Sequence, residues 1–335
     1  MRILISTGIY PPKIGGPAQY SKNLKNSLEL AQNRVKIATF GLETSIPTGL
    51  RHFLFLVKII PKVLWADYII VMDTFSVGLP TVFLASILGK KSVVRTGGDF
   101  LWEGFVERTK KKVLFRDFYI NEINNFSKKE KIIFKLSRFT LQSTDKVIFS
   151  TKWQRDIFIK AYSLDESKTD IIENYYGPIE STSDVSNLDF IGSTRNLVWK
   201  NLDILKNVFT EVISLNSNVK LYTQNVIFED FINLIKNSYA VVLVSLGDIS
   251  PNLILDAVRL GKPFICTKEV GIYDRIKDLG IFVDPLNESE IKNAVLKLLD
   301  KNEYNNIKNK LKNFNFIHDW DSIAGEFLEV YNKIK

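Results

Sequence analysis

Short β-branched and apolar runs alternate with helical patterns from one end of the chain to the other. That alternation marks parallel strands wound together by crossover helices, so an α/β chain with doubly wound sheets is expected. In the first part, strands are expected at residues 3–7, 35–40, 68–72, 92–95, 146–150 and 169–173, with helices such as 17–31 and 152–162 between them. Residues 174–187, with Gly177, Pro178 and several Ser and Thr, have no apolar period and read as a linker. A second strand series follows at 188–192, 219–222, 240–245, 263–267 and 281–283. A chain of 335 residues also exceeds what one core usually holds, so two domains are expected, 1–178 and 179–319.

Composition narrows the chemistry. A single cysteine, Cys266, excludes an internal disulfide framework and a cysteine-built zinc site, and reads as cytosolic. Two histidines, His52 and His318, argue against a histidine-rich metal site, so no metal is expected. The opening residues carry no secretory signal pattern. The most apolar window, residues 53–72, is broken by Lys58, Pro61, Lys62 and Asp67 and does not read as a membrane span.

The net charge of +8 is unevenly spread. Residues 1–178 carry 27 basic against 16 acidic side chains (+11), and residues 179–335 carry 18 against 21 (−3). The basic excess gathers in Arg108, Lys110, Lys111 and Lys112, and in Lys128, Lys129, Lys131, Lys135 and Arg138. The second group interleaves with Ile132, Ile133, Phe134, Leu136 and Phe139 as a basic amphipathic helix. It suits either a solvated face over a core-facing stripe or an anionic membrane or acceptor surface. No recognition motif accompanies the charge, so nucleic acid is not the expected partner.

Ligands of doubly wound sheets bind beyond the carboxyl ends of the strands. After the first strand, Gly15 and Gly16 precede Pro17, where a helix N-terminus would favour a phosphate; a plain turn accounts for the same residues. After the strand ending Phe190-Ile191-Gly192, Arg195 and Lys200 offer two cations for a diphosphate. The segment from Ser245 to Pro263 is the most informative. Ser250 is expected to cap a helix, Pro251 to occupy its first turn and Gly261 to close it. Asn252, Asp256 and Arg259 share the face away from the core, and Asp248 lies just before the helix.

This segment resembles the signature of family 4 glycosyltransferases, in which two acidic residues separated by seven others precede a Gly-x-Pro strand. Here they are Asp248 and Asp256, followed by Gly261-Lys262-Pro263. The resemblance extends to Tyr10-Pro11-Pro12 with Gly15-Gly16, to Phe190-Ile191-Gly192, and to Gly271-Ile272-Tyr273-Asp274 with Gly280-Ile281-Phe282-Val283. It implies a GT-B fold, two Rossmann-like domains facing a central cleft, with a closing helix at 320–335 returning to the first. It also implies retaining transfer from a nucleotide diphosphate sugar, the co-substrate, to an acceptor hydroxyl on a glycan or lipid-linked acceptor, in cell-surface glycan or lipid-linked oligosaccharide synthesis. The basic excess of residues 1–178, not the resemblance, leads to the expectation of a peripheral hold on the inner face of an anionic membrane and of a lipid-linked acceptor. By position, Asp256 would hold the ribose, Asp248 the transferred sugar, and Arg195 with Lys200 the departing diphosphate. Gly15, Gly16, Ser250, Pro251 and Asn252 would complete the donor site. Asp73, Asp99 and Glu103 would face the acceptor or donor sugar, Asp99 with a catalytic part.

The sequence departs from the family in three places. Its acidic pair is Asp and Asp where the family has Glu and Glu, one C–C bond (about 1.5 Å) shorter in reach. Gly97 stands where many members carry His, and the chain between Tyr222 and Val241 is short. A nucleotide-sugar epimerase, or a relative that binds without catalysis, fits the same pattern.

Overall fold

The computed structural model describes residues 1–13, 15–41, 46–180, 185–224 and 228–335. Ile14, residues 181–184 of the expected linker and residues 225–227 of the short stretch lie outside the described residues. The chain divides into two compact units, one of Met1–Leu101, Asn124–Tyr175 and His318–Lys335, the other of Trp102–Ile123 and Tyr176–Ile317.

Six parallel strands form the sheet of the first unit: β1 (Arg2–Ser6), β2 (Arg34–Ala38), β3 (Tyr68–Val71), β4 (Lys91–Thr96), β5 (Lys146–Phe149) and β6 (Thr169–Ile171). Their order is β2-β1-β3-β4-β5-β6, with Ile3 in register with Val35 on one side and Tyr68 on the other. Every residue of β3 is buried, as a central parallel strand with helices on both faces requires. The crossovers are α1 (Gly16–Leu30), α2 (Thr48–Trp65), α3 (Gly78–Ile87), α4 (Phe100–Thr109), α5 (Phe115–Asn121), α6 (Lys128–Ser143) and α7 (Lys152–Tyr162). The helix expected from residue 128 is α6, and a reciprocal capping box starts it: Glu130 N–H donates to Ser127 Oγ while Ser127 N–H donates to the Glu130 carboxylate.

The second unit carries β7 (Leu188–Ile191), α8 (Leu202–Leu215), β8 (Val219–Tyr222), α9 (Phe228–Asn237), β9 (Ala240–Leu243), α10 (Asn252–Arg259), β10 (Phe264–Thr267), α11 (Tyr273–Ile276), β11 (Ile281–Val283), α12 (Glu288–Leu298) and α13 (Lys301–Lys312). Its five strands are parallel, in the order β11-β10-β9-β7-β8, around a core that includes Phe190, Phe209 and Phe264. The last helix, α14 (Trp320–Ile334), lies in the first unit, where Ile323 and Phe327 join Ile3, Ile5, Leu24 and Tyr68 in one core.

The patterns place residues 102–123 in the first domain, whereas in the structure most of α4 and all of α5 cluster with the second unit. The amphipathic pattern of a helix says that it must cover apolar surface, not which sheet supplies it.

Candidate functional site

In the second unit the loops leaving β7, β9 and β10 meet at the carboxyl end of the sheet, the place where ligands of such sheets bind. The β7 loop ends in a single 3-10 turn, Val198–Lys200, and Asn201 follows in the left-handed conformation (φ 58°). Asn201 is buried, and its Nδ2 donates to the carbonyls of Val244 (3.2 Å) and Pro285 (2.7 Å), fixing the base of the loop. Leu246 N–H donates to the Trp199 carbonyl at 2.8 Å, so the β7 and β9 loops are stitched together.

That stitching brings two of the expected residues into contact: Lys200 Nζ donates to Asp248 Oδ2 at 2.6 Å. Their side chains are only 9% and 14% exposed, and Lys200 Nζ also lies 4.2 Å from the centre of the Trp199 ring. Asp248 is held from behind by the β10 loop, its N–H donating to the Glu269 carbonyl (2.9 Å) and its carbonyl accepting from Gly271 N–H (3.1 Å). Arg195 is exposed, with its guanidinium 5.6 Å from the Trp199 ring.

The start of α10 corrects an expectation. Pro251 is the capping residue and no side chain caps the helix, while Ser250 Oγ is buried without a hydrogen-bond partner. Ile254 and Leu255 direct their N–H groups at the Pro251 carbonyl (3.0 and 3.1 Å), leaving those of Asn252 and Leu253 unbonded among the described residues. A helix start with free amides, four residues after the acid that holds Lys200, is suited to an anion. Gly261, at φ 59°, closes the helix as expected.

Asp256 lies four residues, about one turn, into α10. Its Oδ1 accepts from Arg259 Nη2 (3.3 Å); Arg259 in turn pairs with Glu180, which also pairs with Lys236 at 3.0 Å. Burial pushes the Asp256 carboxyl up, and Arg259 pulls it back down. The carboxylate is therefore held by Arg259 while its side chain stays 19% exposed, so that it can still accept from hydroxyl donors.

Residues 102–123 supply support that sequence reasoning missed. Trp102 packs on Phe115 (ring centres 5.3 Å) and on Trp199 (5.7 Å). Glu107 Oε1 accepts from Val198 N–H at 2.6 Å, and Lys112 pairs with Asp203 at 2.6 Å. Phe115 N–H donates to the Leu246 carbonyl (3.2 Å), and Arg116 pairs with the buried Glu269 (3.0 Å). The signal available in the sequence was Gly247, just before Asp248. A Cβ there would stand 2.5 Å from Phe115 Cβ and 3.1 Å from the Trp102 ring, so only glycine lets the segment close on the loop. Burial pushes the Glu269 carboxyl up to about 7 against the downward pull of Arg116.

The remaining expected residues lie apart. In the first unit Gly15 is the N-cap of α1, and Ala18 and Gln19 both donate to its carbonyl, which leaves Gly16 N–H as the one free amide of that turn among the described residues, Pro17 having none. Asp73 Oδ1 accepts from the N–H groups of Phe75 (2.9 Å), Val77 (3.2 Å) and Gly78 (3.1 Å), so it shapes the turn into α3. Burial raises its carboxyl, partly offset by those amides. Asp99 is buried and accepts from Leu101 N–H at 3.0 Å. Glu103, half-buried in the first turn of α4, lies with the second unit rather than the first.

No family model matches the chain, and no curated protein matches it by sequence. Solved structures do match over nearly its whole length. Sucrose-phosphate synthase from Thermosynechococcus elongatus superposes with a TM-score of 0.70 at 12% identity, covering 99% of this chain and 98% of that one. Anabaena HepE in complex with UDP and glucose gives 0.68 at 15% identity, with 98% and 99% covered. UDP-GlcNAc 2-epimerase from Methanocaldococcus jannaschii gives 0.56 at 13% identity, with 99% and 100% covered. What these structures share with the chain is the GT-B fold of two Rossmann-like domains, each a parallel sheet wound by helices.

Proposed function

We propose that the chain is a glycosyltransferase that moves a sugar from a nucleoside diphosphate sugar to an acceptor hydroxyl with retention of configuration. The observation that carries this reading is the Lys200–Asp248 contact at the carboxyl end of the second sheet, beside the free amides of α10 and the oriented carboxylate of Asp256. An ammonium has three N–H donors, and Asp248 uses one, leaving two for a diphosphate. Arg195 adds an exposed second cation, and Asp256 takes the ribose hydroxyls. Asp248 then sits between the leaving group and the sugar it would orient. One matching structure holds UDP and glucose, the donor chemistry proposed here.

In the transfer, the bond between the anomeric carbon and the phosphate oxygen breaks while the acceptor oxygen bonds to the same carbon, on the same face. The acceptor proton passes to the departing phosphate oxygen. Lys200, Arg195 and the α10 amides stabilise the charge growing on that phosphate, so the cations of the chain itself do what a divalent metal does elsewhere. The acceptor belongs to the first unit in this reading, with Asp99 as its carboxylate. A screen of nucleotide sugars tests the proposal, with products read for anomeric configuration and turnover repeated in EDTA. Turnover without acceptor to a free, epimerised sugar would select the epimerase reading instead.

We also propose that the acceptor is lipid-linked and that the protein works on the inner face of the membrane, held there peripherally. Among the described residues no helix is long and apolar enough to cross a membrane. Yet α2 turns Leu50, Phe53, Val57 and Leu64 to solvent, and its neighbour α3 turns out Phe83 and Ile87. Beside α3, α6 exposes Ile132 and Phe139 among Lys128, Lys129, Lys131 and Lys135. Apolar residues among lysines suit the boundary of an anionic bilayer. The other basic group, residues 108–112, belongs to the second unit, where Lys110 pairs with Glu107, Lys111 with Glu122 and Lys112 with Asp203.

A further inference from the structure

The first unit buries a guanidinium that no carboxylate answers. Arg95, near the end of β4, is 6% exposed. Its guanidinium carbon lies 3.7 Å from the centre of the Tyr20 ring, and Nη2 donates to Asn174 Oδ1 at 2.5 Å. Nε is buried with no acceptor, and besides Asn174 it is the neutral hydroxyl of Tyr20 that acts on the guanidinium. Glu326, the acidic side chain that faces Tyr20, is engaged by His318 at 3.3 Å. A cation withdrawn from water with neutral partners alone is costly to keep, and a bound anion would repay that cost.

The way in is over Gly97. Gly97 and Gly98 are exposed, and a Cβ on Gly97 would lie 2.9 Å from Arg95 Nη1. Hydrogen-bond length from Nη1 is therefore reached where any larger residue would put its side chain. Glycine at this position leaves that approach to a ligand oxygen, at the carboxyl end of the sheet where ligands of this fold class bind. The ring of Tyr20, one turn into α1, holds the guanidinium plane in place.

We propose that Arg95 and Gly97 form an anion site of the first unit that takes a phosphoryl group. A phosphate ester carries nearly two charges at neutral pH and offsets a buried guanidinium better than a carboxylate does. Assigning that phosphate to the acceptor, as a lipid phosphate or a phosphorylated glycan, rests on the transferase reading; the site itself does not.

The test is calorimetric titration of the full chain carrying Arg195→Gln, Lys200→Gln and Asp248→Asn, which silences the second-unit cations without leaving Asp248 buried and unpaired, with inorganic phosphate, acetate and farnesyl phosphate. Phosphate should bind, acetate at least tenfold more weakly. Adding Arg95→Gln, or Gly97→Ala should Arg95→Gln fail to fold, should weaken phosphate at least tenfold. Farnesyl phosphate binding tighter than inorganic phosphate would mark a lipid-borne group, and equal binding a soluble one; either supports the site. Phosphate binding unchanged by Arg95→Gln and Gly97→Ala, absent altogether, or matched by acetate would overturn it. Loss of UDP binding by the wild-type chain would instead count against the donor assignment and leave this result standing.

Discussion

Lys200 Nζ and Asp248 Oδ2 meet at 2.6 Å across two different strand ends, in a contact with little exposure to water. A buried pair of this kind has two consequences: each member needs the other, and Lys200 keeps donors for an anion while Asp248 keeps acceptor capacity for hydroxyls.

The first consequence is energetic. Removing one partner leaves the other charge buried and uncompensated, which typically costs about 3–5 kcal/mol, whereas replacing both by neutral groups costs much less. Lys200→Met and Asp248→Asn should each lower the stability of the second unit strongly, and the double variant should recover part of the loss. Urea unfolding curves measure this. Strictly additive losses would mean that the two side chains do not depend on one another.

Glu269 makes stability depend on pH in an identifiable window. Its carboxyl is raised from 4.5 to about 7, chiefly by burial, with Asp117 and Asp284 adding and Arg116 opposing. Between those two values the folded chain holds a proton that the unfolded chain has released, so stability falls as pH rises through the window and then levels off. The size is on the order of 3 kcal/mol. Glu269→Gln should flatten that slope and be more stable than wild type above pH 7. Parallel slopes for the two proteins in unfolding series from pH 5 to 8 would refute it.

Gly247→Ala tests the clasp formed by residues 102–123. The added methyl meets Phe115 Cβ and the Trp102 ring, and overpacking of this kind costs about 1–3 kcal/mol. Limited proteolysis should then cut within residues 102–123 sooner than in wild type, with nucleotide binding weakened because the Trp199–Lys200 loop loses its backing. Unchanged cleavage would show that the segment adapts without strain.

For the membrane surface, binding should need both kinds of residue. Vesicle flotation should retain the wild-type chain on anionic but not neutral vesicles, with release at high salt. Lys128, Lys129 and Lys131 changed to Glu, or Phe53→Ser with Val57→Ser, should each reduce retention severalfold, while Lys112→Gln should not, because Lys112 is already paired with Asp203. Equal retention on neutral vesicles, or none on either, contradicts the proposal.

Much of this architecture is legible in the residues. Period and strand composition place the eleven strands of the described residues to within about two residues, and the rule that ligands sit at carboxyl strand ends points to the loops of Lys200 and Asp248. Local rules fail where tertiary packing overrides them. Ser250 has the chemistry of a cap, but Pro251 takes that place and leaves the hydroxyl buried. Asp73 has the position of a ligand-facing acid, but nearby amides claim it. Residues 102–123 follow β4 in sequence and pack with the second unit, a choice made by Trp102, Phe115 and Gly247 together. Arg95 reads as an ordinary strand residue until its burial without an acidic partner is seen.

The measurement closest to the central claim is calorimetric titration of the wild-type chain with UDP, ADP and GDP, repeated with Lys200→Gln and Asp256→Asn. The account predicts that at least one nucleoside diphosphate binds, that Lys200→Gln weakens it at least tenfold through the lost phosphate contact, and that Asp256→Asn weakens it while leaving inorganic pyrophosphate unaffected. Binding of none of the three, or binding indifferent to Lys200 and Asp256, would contradict it.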